Sequence, residues 1–385
     1  MEKKRSKVLL GMSGGVDSSV AAALLVEQGY DVHGITLQIW ENEDETSSTK
    51  PWQERGCCKL GMARHVARLL NIPHDVIPSR AAFQSGVIDD FVSNYLAGST
   101  PNPCVRCNER VKFEALYRLA DQFRADYIAT GHYAKIDQKA NGSWSLFRAT
   151  DLRKDQTYFL YRLNPDWLPR ILFPLGDLHK AEVWQRAEAL GLPAEELQES
   201  QEICFVNQGD YRTFLKAHAP QAVRPGPMID HTGRYLGQHE GIAFYTPGQR
   251  RGLGLSIGTR LYVHRVIPET NTVVLGPSQG LESPACIITD LRLFEPNHFI
   301  TDTTIDVKIR YAARSVPATF IWQSEKTALL RFRQPQRAVS PGQSAVFYRG
   351  DEVLGGGIIL RAEPLPENHA SAFQHTSPNA DSSPA

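Results

Sequence analysis

The sequence predicts an α/β protein: an N-terminal parallel sheet covered by helices, then a small β-containing domain and a C-terminal β-barrel. Three observations carry this. Strand-length apolar runs alternate with helix-period segments over the first two hundred residues, the pattern of successive β-α units. A glycine-rich turn, Gly11-Met12-Ser13-Gly14-Gly15-Val16-Asp17-Ser18-Ser19, joins the first strand to the first helix. After Asn207 the helical period fades, Gly and Pro become frequent, and short β-rich runs take over from Arg224.

Lys7-Val8-Leu9-Leu10 reads as the first strand. Val16, Val20, Ala23 and Leu24 form the apolar stripe of a helix closed by Gly29. Strands at Asp31 to Trp40, Ile72 to Ile77 and Ala125 to Ala129 alternate with helices at Leu60 to Leu70, Ala81 to Leu96 and Glu109 to Phe123. Asn141-Gly142 marks a hairpin appended to this domain. Gly226 to Gly276 reads as a small β domain, and Ala285 to Ala362 as an antiparallel barrel or sandwich. The expected division is 1–210, 211–280 and 281–363, with a disordered tail at 364–385 rich in Pro, Ser, Ala and Asn.

Lys and Arg number 42 and Asp and Glu 42, a balance that argues against indiscriminate nucleic-acid binding. Between Ile305 and Arg337, however, seven basic residues face Asp306 and Glu325 alone, so a local basic face is open to the chain. No apolar run reaches membrane-span length, and Met1-Glu2-Lys3-Lys4-Arg5 leads into no signal-peptide core; a cytoplasmic protein is expected. Six cysteines in such a chain are not a disulfide scaffold and are read one by one.

A strand, a glycine turn and a helix N-terminus together hold phosphate, because the backbone approaches closely and unpaired N–H groups meet the positive end of the helix dipole. Ser13, Ser18 and Ser19 add hydroxyls, whereas no Lys follows the glycines as in a Walker loop. Gly11, Leu37 and Gly131 fall at strand carboxyl ends, where α/β sheets bind ligands. The polar stretch Glu41 to Trp52 is read as a mobile loop near that nucleotide site. In Thr100-Pro101-Asn102-Pro103-Cys104-Val105-Arg106-Cys107-Asn108 two prolines present a C-x-x-C just before a helix at Glu109. The helix dipole, Arg106 and Arg110 would favour a thiolate there. It is half a zinc site at most, with no second ligand pair. Glu199-Ser200-Gln201-Glu202-Ile203-Cys204-Phe205-Val206 offers a distant third thiol. Two such thiols meeting across a cleft carry sulfur as a persulfide and release it by forming a disulfide. Cys57-Cys58 reads as loop packing and Cys286 as core; His132 reads equally as a nucleotide contact or a structural histidine.

The segment SGGVDSS resembles the pyrophosphate loop of the ATP pyrophosphatase (PP-loop) superfamily, which implies an adenine nucleotide alpha hydrolase-like first domain. Most of the chain is similar to the tRNA-specific 2-thiouridylases. The likeness runs through GMSGGVDSS, TPNPCVRCNERVKF, TGHYA, KDQTYFLY, ESQEICFV, GQHEGIAFYTPGQRRGLG, KIRYAA and SPGQSAVFYRGDEVLGGG. The resemblance implies 2-thiolation of the tRNA wobble uridine. ATP with Mg2+ would adenylate the 2-carbonyl oxygen, with Asp17 as a Mg2+ ligand, and sulfur would come from a cysteine persulfide. By that resemblance Cys107 is the nucleophile and Cys204 the persulfide carrier, joined transiently as a Cys107–Cys204 disulfide. ATP contacts fall on Gly11, Met12, Ser13, Gly14, Gly15, Val16, Asp17, Ser18, Leu37 and Gly131. Base contacts fall on Asn102, Pro103 and Cys104, and tRNA contacts on Lys154, Asp155, Gln156, Arg310 and Tyr311. The implied partners are the tRNA anticodon arm and a sulfur-relay donor, with the enzyme a monomer. Many members carry Asp where this chain has Cys104, so Cys104, Cys107 and Cys204 could alternatively hold a [4Fe-4S] cluster. Two rivals stay open: another adenylating synthetase on the same core, and a non-catalytic tRNA-binding module.

Overall fold

A strand that is apolar at every position must be covered on both faces. β1 (Lys7–Gly11) is such a strand from Val8 to Leu10: Val8 and Leu10 enter one core and Leu9 the opposite one. The computed structural model describes residues 5–39, 60–192, 203–206, 210–255, 258–299 and 302–363. The stretches 41–52 and 199–202, the Cys57-Cys58 pair and the tail from 364 lie outside them.

β2 (Asp31–Gln38), β3 (His74–Pro78) and β4 (Tyr127–Thr130) flank β1. Next come β5 (Ala134–Gln138), β6 (Trp144–Arg148) and β7 (Ile171–Leu172). The first sheet is parallel throughout, in the order β3-β2-β1-β4-β7. The chain thus moves outward from β1 to β3 and returns to the other side of β1 at β4. That reversal opens a crevice at the carboxyl ends of β1 and β4.

α1 (Val16–Glu27) and α2 (Leu60–Leu69) cover one face. The helix expected from Ala81 is a bent rod, α3 (Arg80–Phe83), a π turn at Gln84–Ile88, then α4 (Asp89–Leu96). The helix expected to start at Glu109 begins instead at α5 (Pro103–Cys107). It passes through a second π turn at Asn108–Lys112 and continues as α6 (Phe113–Phe123), which covers the other face. The reason is local. Asn102 caps the new start, its side chain accepting from the Val105 N–H at 3.4 Å, and Pro103 takes the first helical position, where a missing N–H costs nothing. The two π turns lie against each other. α7 (Lys180–Ala189) packs beside α1, and α8 (Tyr211–His218) leads into the second domain.

That domain is a four-stranded sheet of β8 (Gly226–Asp230), β9 (Tyr235–His239), β10 (Tyr262–Ile267) and β11 (Thr272–Gly276). The last domain comprises β12 (Glu282–Leu293), β13 (Thr303–Lys308), β14 (Val316–Trp322), β15 (Ala328–Arg337), β16 (Ser344–Arg349) and β17 (Glu352–Glu363). They run β12-β15-β14-β13-β16-β17, and β17 pairs back onto β12, so this is a closed six-stranded barrel rather than a sandwich. Its interior is filled by Cys286, Ile288, Phe320, Leu330 and Phe347, and burial pushes the Cys286 thiol up, as befits a core residue.

The Asn141-Gly142 hairpin, β5 with β6, is present but extends the barrel's sheet, Phe147 pairing with Glu352 of β17. Glu352 accepts from Lys139 at 2.9 Å and from Ser145 at 3.0 Å, and Arg349 lies 2.6 Å from its second oxygen. Lys139 also binds Glu295 of the barrel. The hairpin therefore rivets the first domain to the last. Removing a buried carboxylate from such a set leaves its cations uncompensated, so Glu352→Ala should cost about 3 kcal/mol or more in chemical denaturation.

Candidate active site

The glycine loop is fixed from beneath by β2. The Met12 N–H donates to the Ile35 carbonyl at 2.8 Å, and the Thr36 hydroxyl donates to the Met12 carbonyl at 2.7 Å. Because that hydroxyl hydrogen is used, His74 Nε2, 2.8 Å from Thr36 Oγ1, must be the protonated nitrogen. Burial, followed by the charge of Arg64, lowers the His74 pKa. Within the loop Gly14 has φ +75°, a turn closed to most side chains. The Ser18 and Ser19 hydroxyls both donate to the Gly15 carbonyl at 3.0 Å, and Ser13 Oγ lies 3.3 Å from Ser18 Oγ. The first turn of α1, whose N–H groups have no intrahelical partner, opens at the crevice.

Gly131 follows β4 directly across that crevice. A Cβ there would stand 2.7 Å from the carbonyl carbon of Asp17 and from the Ser18 nitrogen. Gly131 therefore lets the β4 end press against the first turn of α1. His132, half-buried, shares a 2.7 Å hydrogen bond with Thr130 and packs on Phe113 and Phe173. Desolvation, then Lys112, pushes its pKa well down, so it is a neutral imidazole at neutral pH. Asp17 Oδ1 accepts from Lys180 at 2.7 Å and from the Tyr133 hydroxyl at 2.9 Å. In this structure the carboxylate of Asp17 is thus paired with Lys180 at the first turn of α1. Leu37 sits near the carboxyl end of β2, half-buried against the core beneath α6.

The cysteine loop is held by all three domains. The Thr100 N–H donates to the Pro341 carbonyl at 2.8 Å, and Gln343 donates its side-chain amide to the Thr100 carbonyl at 2.9 Å. Thr100 Oγ1 meets Thr246 Oγ1 of the second domain at 3.0 Å. Gly342 (φ +87°) lies so close that a Cβ would be 2.8 Å from the Thr100 nitrogen. Two Pro-Gly-Gln turns, 247–249 and 341–343, thus frame the loop.

Cys104 falls in the first turn of α5 and is exposed; Cys107 is its last residue and half-buried. Cys107 therefore lies one turn in from the N-terminus of the continuous helical run from Pro103 to Phe123, where the dipole favours an anion less than it does at Cys104. Arg106 and Arg110 are both paired with carboxylates. Arg106 pairs with Glu109 and Asp290 at 2.9 Å each, and Arg110 with Asp90 at 3.1 Å. Buried Arg162 joins Glu109 at 2.7 Å and Asp290 at 3.0 Å. Burial works against the Arg162 charge, and Tyr161, Glu109 and Asp290 more than offset it. Three guanidinium groups thus face three carboxylates.

Cys204 and Cys107 pack against one apolar cluster. The Cys204 turn is anchored by its neighbour Phe205, whose ring lies 5.1 Å from Phe91, 5.1 Å from Phe214 and 5.7 Å from Phe83. Cys104 does not join them into a ligand set. Among the described residues no three His, Cys, Asp or Glu side chains gather to hold a metal ion. A [4Fe-4S] cluster needs its thiols converging on one point, so this arrangement does not fit the cluster alternative.

The segments assigned to tRNA lie side by side. The Tyr311 ring is exposed and 4.5 Å from that of Phe159, with Lys308 over both Tyr311 (5.1 Å) and Tyr158 (5.9 Å). Lys154 is half-buried. Asp155 and Gln156 turn inward: Asp155 accepts from Thr157 at 2.8 Å, and Gln156 accepts from the Tyr133 N–H at 3.0 Å. Arg310 is spent on the Arg337 carbonyl.

Sequence reading missed Thr246, Gln343, Arg162, Asp290 and Lys180. The repeated Pro-Gly-Gln was the one visible signal; the others are joined only by the fold.

The three domains correspond to known ones. Family models described as tRNA methyl transferase HUP domain, tRNA methyl transferase PRC-barrel domain and Aminomethyltransferase beta-barrel domain match residues 6–208, 212–277 and 283–359. The tRNA-specific 2-thiouridylase MnmA of Carboxydothermus hydrogenoformans is 46% identical over 359 residues, covering 92% of this chain and 98% of that one. That of Pelotomaculum thermopropionicum is 46% identical over 360 residues with the same coverage. That of Moorella thermoacetica is 45% identical over 355 residues, 91% of this chain and 98% of its own. The chain belongs to the family of tRNA-specific 2-thiouridylases. No helix among the described residues is long and apolar enough to cross a membrane.

Two outcomes follow from this geometry. Gly131→Ala should lower stability by about 1–3 kcal/mol, because its methyl group overlaps the α1 backbone, and should weaken nucleotide binding in titration calorimetry. The depressed pKa of His74 and His132 means the unfolded chain takes up protons that the folded one refuses. Stability is therefore full above about pH 6.5 and falls as pH drops below it, a trend that melts at pH 7.5 and 5.5 would show and that His74→Asn should flatten.

Proposed function

We propose that this chain is a tRNA-uridine 2-sulfurtransferase that 2-thiolates the wobble uridine at the expense of ATP, releasing AMP and pyrophosphate. The observation that carries the reading is the pairing of two features on one chain: a phosphate-type loop at the sheet's switch point, and Cys107 and Cys204 packed against a single apolar cluster. Val105, between the two loop cysteines, packs in the same core as Leu9 and Ile35 of the sheet.

ATP lies with its phosphates at the first turn of α1, contacting Gly11 to Ser18, with Leu37 and Gly131 bordering the nucleotide. Mg2+ would be held by the phosphate oxygens and would neutralise their charge; among the described residues no three His, Cys, Asp or Glu side chains gather to hold a metal ion. The uridine 2-carbonyl oxygen attacks the α-phosphorus, the bond to the β-phosphate oxygen breaks, and pyrophosphate leaves. Asn102, Pro103 and Cys104 border the base. A donor protein leaves sulfur on Cys204 as a persulfide. The Cys107 thiolate attacks the Cys204 sulfur, expelling sulfide, which adds to C2 while AMP departs with the former carbonyl oxygen. The Cys107–Cys204 disulfide that remains needs a two-electron thiol reductant. The anticodon arm rests on the Tyr311, Lys308 and Lys154 surface, where exposed aromatics and cations suit unstacked bases. Such a protein acts as a cytoplasmic monomer.

Mass spectrometry of wobble nucleosides after incubating tRNA with ATP, Mg2+ and a persulfide donor tests this. Wild type should form 2-thiouridine. Cys107→Ser and Cys204→Ser should each lose it by at least about 100-fold while still releasing pyrophosphate, since the activating step uses neither thiol. Undiminished activity of Cys107→Ser would favour a different adenylating synthetase. Binding of tRNA without pyrophosphate release would favour a non-catalytic module.

A further inference from the structure

The glycine loop carries no lysine, yet a lysine stands at its side. Lys180, the first residue of α7, has its side chain almost fully buried between the rings of Tyr133 (5.6 Å) and Trp184 (5.1 Å), with Nζ 2.7 Å from Asp17 Oδ1. Resting on the reading that ATP is split to AMP and pyrophosphate at this loop, we propose that Lys180 is the cation of the site. It binds the departing pyrophosphate and exchanges Asp17 for a phosphate oxygen as the nucleotide reacts.

Three considerations favour this over a structural ion pair. Burying an ammonium is costly, and an apolar side chain at position 180 would join α7 to α1 more cheaply. Those helices already share the core of Val20, Leu24, Val183 and Ala187, and Arg186 pairs with Glu27 at 3.2 Å farther along. The partner carboxylate also sits in the first turn of α1, where the helix dipole favours anions, so the ammonium is stored at the point where phosphate oxygens arrive. The Lys180 N–H donates to Asp151 at 3.1 Å, and the Tyr133 hydroxyl shares Asp17 Oδ1; both hold this geometry when the ammonium shifts. As the α-phosphorus–oxygen bond breaks, its electron pair goes to the β-phosphate oxygen, and the charge gained there is what Lys180 offsets.

The test uses the full-length protein, with titration calorimetry of ATP, pyrophosphate and AMP and an assay of tRNA-dependent pyrophosphate release. Lys180→Met should weaken ATP and pyrophosphate about 10- to 100-fold, the effect of losing one charge-assisted contact, and leave AMP affinity unchanged because AMP lacks the departing group. Lys180→Arg should restore ATP affinity to within a few-fold. Arg186→Gln, which breaks the second α7–α1 ion pair, should bind all three as wild type does. Should Lys180→Met not fold, Lys180→Gln, which keeps a donor for Asp17 without the charge, takes its place. Wild-type ATP affinity in the uncharged variant, or an equal loss for ATP and AMP, overturns the proposal and leaves the ATP reading standing. Absence of pyrophosphate release by wild type overturns both.

Discussion

The arrangement of the candidate site depends on how the loop from Thr100 to Asn108 is held. It is a surface connection carrying two cysteines, and such segments are ordinarily the most mobile part of a fold. Here its backbone is hydrogen-bonded to Pro341 and Gln343 of the barrel, its Thr100 hydroxyl to Thr246 of the second domain, and Arg106 to Asp290 of the barrel. The cysteine loop belongs to the first domain in sequence and to all three in mechanics. A disturbance of the barrel is therefore felt at Cys107 without any change in the parallel sheet beneath the glycine loop.

The same scaffold sets the electrostatics. Guanidinium groups that would have lowered a thiol pKa are each committed to carboxylates, and Asp290 reaches them from a residue held at φ +49° in β12. A buried set of this kind contributes geometry more than net stability. At the glycine loop the balance is different, because Lys180 and Asp17 form a pair beside a helix terminus that favours anions.

Much of the fold was legible in the sequence because its signals are local. Continuous apolar strands, glycine at the first turn and the shift to short β runs announced a parallel sheet, a small β domain and a barrel. The start of α5 was misplaced because Asn102-Pro103 was read as loop stiffening when it is also a cap followed by a first helical residue. Cys107 and Cys204 were found as motifs, and the fold brings them to one cluster through Phe205, whose contacts with Phe91 and Phe214 no periodicity could announce. Arg162, Asp290 and Lys180 escaped notice for the same reason: each acts on a residue more than a hundred positions away. Asp155 and Gln156 show the converse, polar residues in a shared motif that serve the protein's own backbone.

The central claim is that Cys107 and Cys204 act on each other across the apolar cluster. Its most direct measurement is peptide mapping by mass spectrometry, without reductant, after a single round of turnover on tRNA with a persulfide donor. A Cys107–Cys204 cross-linked peptide appearing in proportion to the 2-thiouridine formed is the predicted result. 2-Thiouridine accumulating with Cys107 and Cys204 both still reduced, or with Cys107 joined to Cys104 instead, would contradict it.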